Sequence, residues 1–141
     1  MIGAIIARQA VKTGFVALNK QDLKKFMKSW AEESCWIYPG NLSVSGTFTG
    51  KAAVQAWFEN FCKHFTKFTF DVRCICTANI FAIGGNNIII AEWKLHLTNN
   101  VGENYENEGV TVLTIKNAKV ILGRDYLDNS GTPEFRKLWG E

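Results

Sequence analysis

The sequence predicts an α+β domain, and three observations carry that prediction. Apolar residues recur at helical spacing through the first half of the chain, and they alternate or run in strand-length blocks through the second. Turn residues then cut the second half into consecutive pieces, each able to fold back on the one before.

From about Gly3 to Leu18, Ile5, Ile6, Val11, Phe15 and Leu18 fall near helical spacing, and Asn19 breaks the run. Asp22 can cap a short second helix whose apolar stripe is Leu23, Phe26, Met27 and Trp30. "SCWIYPG" alternates and stops at Pro39-Gly40, as a short strand entering a turn does. A third helix is expected after Gly50, capped by Thr49, with Val54, Trp57, Phe58 and Phe61 as its stripe. Beyond Lys67, "FTFDVRCICTANIFAI" faces "IIIAEWKLHLT" across Gly84-Gly85-Asn86-Asn87, a hairpin signal. "TNNVGEN" and "KNAK" supply two more turns, giving four consecutive antiparallel strands with three helices available to cover one face. Thr132-Pro133-Glu134 reads as the cap and first turn of a terminal helix.

With 141 residues the chain fits one domain, 1–141, with a core and one pocket. Ten Phe, five Trp, only two Pro and 47% hydrophobic residues exclude a disordered protein. A net charge of +3, from 16 basic and 13 acidic residues, is too mixed to favour nucleic acid as a partner. Lys20, Lys24, Lys25 and Lys28 read as one solvated helix face. No run of 18 apolar residues exists, so neither a membrane span nor a membrane partner is expected. Arg8 and Lys12 break the apolar N-terminus at helical spacing, as in a folded helix rather than a signal peptide. Cys35, Cys62, Cys74 and Cys76 fit no zinc spacing. Cys74 and Cys76 lie two apart on a strand and do not easily bridge, so buried reduced thiols in a cytoplasmic protein are expected.

Candidate chemistry sits in two strands. In "IIIAEWKLHL", alternation puts Glu92, Lys94 and His96 on one face and Ala91, Trp93, Leu95 and Leu97 on the other. Either face could be the inner one. In "VILGRDYLD", Ile121, Gly123 and Asp125 share a face, opposite Leu122, Arg124 and Tyr126. Asp125 then sits at the edge of a core, where a carboxylate must find a partner or raise its pKa. Lys94 is a candidate partner, and a structural ion pair is the alternative reading. Trp36 and Tyr38 share a face of "CWIYPG". Both have a hydrogen to donate to a ligand oxygen, though core aromatics with partners elsewhere look the same.

The order of segments resembles a known family. "ALNKQDL" and "FMKSWAEES" are followed by "WIYPG", "SGTFTGKAAV" and a meander ending "NAKVILGRDYLD". This is similar to the nuclear transport factor 2 superfamily and, within it, the SnoaL-like polyketide cyclase group, over nearly the whole chain. The resemblance implies a curved, mainly antiparallel sheet wrapped around N-terminal helices as a cone with a central pocket. It also implies a homodimer formed through the outer sheet face. Polar faces would then line the cone, and Trp93, Leu95 and Leu97 would be buried by the partner. In SnoaL-like cyclases an aspartate of the last strand is the acid/base, and Asp125 matches it. Limonene-epoxide hydrolases end in a similar "RDY-D" run with their base at the position of Asp125. Their arginine and second aspartate fall at Glu92 and Lys94 with the charge order reversed, and their water-positioning tyrosine and asparagine fall at Trp36 and Tyr38. Ketosteroid isomerases put their base at Tyr38, their oxyanion-hole acid near Thr111 and a helix tyrosine around Gly14 or Phe15, and none of these matches.

The resemblance therefore leads to an expected cavity enzyme needing neither metal nor organic cofactor. Asp125 would be the general acid/base, tuned by Lys94, with Glu92 holding the lysine. Tyr38, Trp36, His96, Phe15 and Trp57 would contact a small apolar substrate. A non-catalytic ligand-binding or dimerisation module of the same fold is the alternative.

Overall fold

Apolar stripes on three helices need a matching apolar surface, and one sheet supplies it. The computed structural model describes residues 1–141. Helix α1 spans Ile2–Asn19, α2 Leu23–Met27, α3 Lys51–His64 and α4 Pro133–Leu138. Strands β1 (Trp30–Tyr38), β2 (Gly46–Thr49), β3 (Phe65–Thr77), β4 (Asn87–Asn99), β5 (Asn104–Lys116) and β6 (Lys119–Leu127) form one open, curved mixed sheet in the order β2-β1-β6-β5-β4-β3. All neighbours are antiparallel except β1 and β6, which run parallel. The expected α+β fold, with N-terminal helices packed into this sheet, is what forms. Twenty-seven buried hydrophobic residues make one core cluster between helices and sheet.

Local signals account for most element ends. The Lys25 N–H donates to Asp22 Oδ1 at 3.1 Å, and the Phe135 N–H to Thr132 Oγ1 at 3.2 Å, so both expected caps form. Asn19, which ends α1, does more than stop a helix. Its side chain donates to the Phe70 carbonyl at 3.0 Å and accepts from the Phe70 N–H at 2.7 Å. Strand β3 is the sheet edge, so this amide closes polar groups the ladder leaves open and pins α1 across the sheet.

Several boundaries differ from expectation. Trp30 starts β1 rather than ending the α2 stripe. Gly50, at φ 94°, takes the cap position of α3 with no side-chain cap, where Thr49 was expected. Strand β3 stops at Thr77, and a loop reaches Asn87, whose side chain ties back to the Asn79 backbone. A bulge in β6 pairs Thr114 with Leu122 but Ile115 with Val120, so Val120 is buried in place of Ile121. Cys74 and Cys76 are exposed, not buried, with their sulfurs 3.5 Å apart.

The facing of β4 is the largest correction. Trp93, Leu95 and Leu97 point inward and are buried by the protein's own helices and strands, so they do not form an outer dimer face. Three charged or titratable groups turned into a core without counter-charges would be costly to desolvate, whereas three apolar side chains gain by burial there.

Candidate active site around Asp125

The pairing register decides what meets Asp125. Ala91 pairs with Thr111, and Thr111 with Asp125, so the three form one row across β4, β5 and β6. All three are buried. Trp93, two residues along β4, leans into the same row, because its neighbour Gly109 has no side chain. A Cβ on Gly109 would lie 2.7 Å from the Trp93 ring and 2.7 Å from the Tyr126 carbonyl oxygen. Gly123 does the same for the other tryptophans, since its missing Cβ would lie 2.8 Å from Trp30 and 3.0 Å from Trp36.

A short hydrogen-bond chain results. The Trp93 indole N–H donates to Thr111 Oγ1 at 2.8 Å, and the Thr111 hydroxyl donates to Asp125 Oδ1 at 2.6 Å. An indole can only donate, so the threonine hydrogen is left to point at the carboxyl. That is the only hydrogen bond the Asp125 side chain makes, and no cation lies within ion-pair distance. Burial pushes its pKa from the ordinary 3.8 up to about 7, with the Thr111 hydrogen bond pulling weakly the other way.

Asp125 stands between two cavities. The larger, about 60 Å³, is walled by helix residues Val11, Phe15 and Phe26, and on the strand side by Trp30, Leu113 and Ile115. Its exposed lining residues Ala10 and Ala118, beside Ser29, mark the mouth. The smaller, about 20 Å³, lies deeper against Tyr38, Trp57, Trp93, Asn107 and Trp139. Trp36, Phe58, Phe70 and Asp125 belong to both walls. A water needs roughly 10–15 Å³ of such volume, so the inner cavity has room for one and the outer for a few-atom group.

Two further polar groups border these spaces. The buried Trp36 indole N–H has no hydrogen-bond partner in the protein. Tyr38 accepts from the Trp139 indole at 3.3 Å, and burial together with the nearby Asp125 charge pushes its pKa up, so its hydroxyl keeps its proton. The site can therefore bind an oxygen-bearing apolar molecule and exchange a proton with it at one carboxyl.

Of the residues singled out in the sequence, Asp125, Trp36, Tyr38, Phe15 and Trp57 converge on these cavities. Trp57 also donates its indole N–H to the Val44 carbonyl at 2.9 Å. Glu92, Lys94 and His96 do not converge. They lie on the opposite face of β4, where Glu106 bridges Lys94 and His96, and the lysine holds the Glu106 carboxyl below the usual range. The expected Lys94–Asp125 partnership is therefore absent, since strand alternation sends the two side chains to opposite sides of the sheet. Thr111 and Asn107 were not singled out as site residues. Their signal was parity, since 107 and 111 share a face with the apolar Leu113 and Ile115.

Residues 11–122 match the SnoaL-like domain family, and the chain belongs to it. Among solved structures, the chain is similar to Bal32a from a soil-derived mobile gene cassette, with a TM-score of 0.82 and 20% identity over 97% of this chain and 98% of that one. A nuclear transport factor 2-like protein of unknown function from Burkholderia pseudomallei gives 0.81 and 18% over 96% and 98%. TerC, co-crystallised with polyporic acid, gives 0.74 and 14% over 96% and 99%. These likenesses establish the nuclear transport factor 2-like fold. No curated protein matches the chain by sequence.

Proposed function

We propose that this protein is an acid/base enzyme acting on a small apolar molecule that carries a carbonyl or hydroxyl group. One observation carries the reading. A carboxyl buried without any cation, pushed up to about 7, borders both cavities of an otherwise aromatic interior. Such a group is divided between acid and base at neutral pH, where proton transfer in both directions is efficient. Asp125 is the proton carrier, Thr111 orients it, and the free Trp36 N–H with the Tyr38 hydroxyl holds the substrate oxygen. Phe15 and Trp57 supply apolar walls. Small volume limits the bound portion to a compact group unless the aromatic rings rearrange. The reaction class is proton transfer, as in isomerisation, aldol-type cyclisation, dehydration or hydrolysis. The fold neighbour co-crystallised with polyporic acid supports a small organic occupant.

The test needs no natural substrate. Small cyclic ketones are incubated with the protein in heavy water, and deuterium entry beside the carbonyl is followed by NMR. Wild type should accelerate exchange, and Asp125→Asn should lose about a hundred- to ten-thousandfold of it. Equal, uncatalysed exchange with both proteins despite ketone binding would leave a ligand-binding module instead.

A homodimer through the outer sheet belongs to the same reading. Its contact would use Ile88, Ile90 and Val112, which do face outward, and a monomer in a micromolar sedimentation run would end it.

A further inference from the structure

Helix α1 carries apolar residues on two faces. Val11, Phe15 and Leu18 are buried, while Met1, Ile2, Ile5, Ile6 and Val16 remain exposed. A second exposed group, Ile80, Phe81 and Ile83, occupies the loop between β3 and β4, with Phe81 76% and Ile83 92% exposed. The two groups adjoin. A Cβ on Gly3 would sit 2.8 Å from the Ala82 carbonyl oxygen and 3.0 Å from that of Gly84. The same loop meets the β5–β6 turn, where the Ala118 N–H donates to the Gly85 carbonyl at 2.8 Å, and Ala118 lines the mouth of the larger cavity. Scattered exposed hydrophobics are ordinary, but a contiguous group beside a cavity mouth marks an interaction surface.

Charge identifies what that surface meets. Residues 1–21 and 78–91 contain no Asp or Glu, while Arg8 and Lys12 lie on the β3 side of α1, in a groove with Val72, Arg73 and Cys74 rather than at the mouth. The β5–β6 turn adds exposed Lys116 and Lys119, and Lys119 Nζ reaches the carbonyl of Lys28 at 2.6 Å, beside Ser29 of the mouth. A second copy docked mouth to mouth would set these cations against themselves. An anionic lipid bilayer complements both properties. Apolar side chains enter the boundary between headgroups and acyl chains, while lysine and arginine meet headgroup phosphates.

We propose that the cavity mouth docks peripherally on an anionic bilayer, with the first turns of α1 and the β3–β4 loop in the interface and the basic residues around them on the headgroups. No helix of the chain is long and apolar enough to cross a membrane, so the contact is with one surface. Docking stands on this surface alone. Transfer of an apolar substrate between bilayer and cavity rests additionally on the proposed function.

The full chain is sedimented with vesicles of phosphatidylcholine alone and of phosphatidylcholine mixed with phosphatidylserine. Binding is expected to the mixed vesicles and to fall as salt is raised. The double variant Phe81→Ser, Ile83→Ser should lose about tenfold or more, given the apolar area withdrawn from the interface. Lys116→Glu with Lys119→Glu should remove the preference for phosphatidylserine. The Phe81, Ile83 variant changes exposed positions and should melt with wild type, whereas Lys119→Glu gives up the bond to the Lys28 carbonyl, so Lys116→Glu alone, which should weaken the preference, serves as its control. Absence of sedimentation with either vesicle overturns the proposal, and so does equal binding to both. It also fails if the Phe81, Ile83 variant binds vesicles normally but converts a dimer to a monomer, since the patch would then lie between copies. Asp125→Asn should bind vesicles like wild type, so loss of ketone exchange and loss of docking are separable results.

Discussion

The inner and outer faces of the β4–β5–β6 sheet both hold a carboxylate, and they hold it in opposite ways. Outside, Glu106 stands between Lys94 and His96 in solvent, and its pKa falls. Inside, Asp125 has one threonine hydroxyl and no cation, and its pKa rises to about 7. The pairing register that puts Asp125 beside Thr111 also puts Glu106 beside His96, so the backbone treats the two alike. Only the surroundings differ. A counter-charge makes a carboxylate a stronger acid and fixes its charge, whereas dry aromatic walls make it a weaker one and leave its proton exchangeable near neutrality.

The most severe break in this contrast is Asp125→Asn, which keeps an oxygen for Thr111 but removes the exchangeable proton. Ketone exchange should drop by about a hundred- to ten-thousandfold while the fold persists, as checked by circular dichroism. Stability should respond to pH in the opposite sense to a paired carboxylate. Because the folded pKa lies above the unfolded one, folding takes up a proton between pH 3.8 and about 7. The Asp125 contribution is therefore free of penalty below pH 3.8 and costs up to roughly 4 kcal/mol as pH rises through 7. Melts at pH 8 should show Asp125→Asn more stable than wild type, with the gap shrinking toward pH 4.

Next in size is Gly109→Ala. Its Cβ would collide with Trp93 on one side and the Tyr126 backbone on the other, so a loss of about 1–3 kcal/mol is expected in urea unfolding. Displacing Trp93 should also weaken its bond to Thr111. Thr111→Val sharpens the same point. It strips the one hydrogen bond that lowers the Asp125 pKa, so the midpoint of the exchange rate against pH should move upward. The outer face should be nearly silent. Lys94→Ala removes a solvent-screened ion pair and should leave the urea midpoint and the exchange kinetics close to wild type.

Much of this was legible in the sequence, and the failures have one cause. Asp125 stood out because a carboxylate follows an apolar run in "VILGRDYLD", and helical spacing placed Phe15 and Trp57 on buried stripes. Alternation correctly grouped Glu92 with Lys94 and His96, but a period of two says which residues share a face and never which face is inside. That choice depends on where the helices pack, a property of the whole sheet rather than of any strand. Thr111 and Asn107 were hidden for the complementary reason. Lone small polar residues among alternating apolar ones look like solvent contacts until Leu113 and Ile115 are known to point inward. The exposed group around Phe81 was obscured because "ANIFAI" reads as strand, and only the end of β3 at Thr77 releases it into a loop.

The larger cavity draws its two sides from different parts of the chain. Asp125, Thr111 and their supporting glycines belong to strands locked in register, whereas Ala10, Val11, Gly14, Phe15 and Phe26 come from α1 and α2. The helical wall of the cavity and its buried carboxyl are thus set by separate stretches of the sequence, with Trp36, Phe58 and Phe70 completing the wall from β1, α3 and β3. Variation confined to residues 1–27 would reshape that helical wall while leaving Asp125 and Thr111 untouched. A combinatorial library over those helix positions is accordingly an economical way to change the shape of the cavity without disturbing its carboxyl.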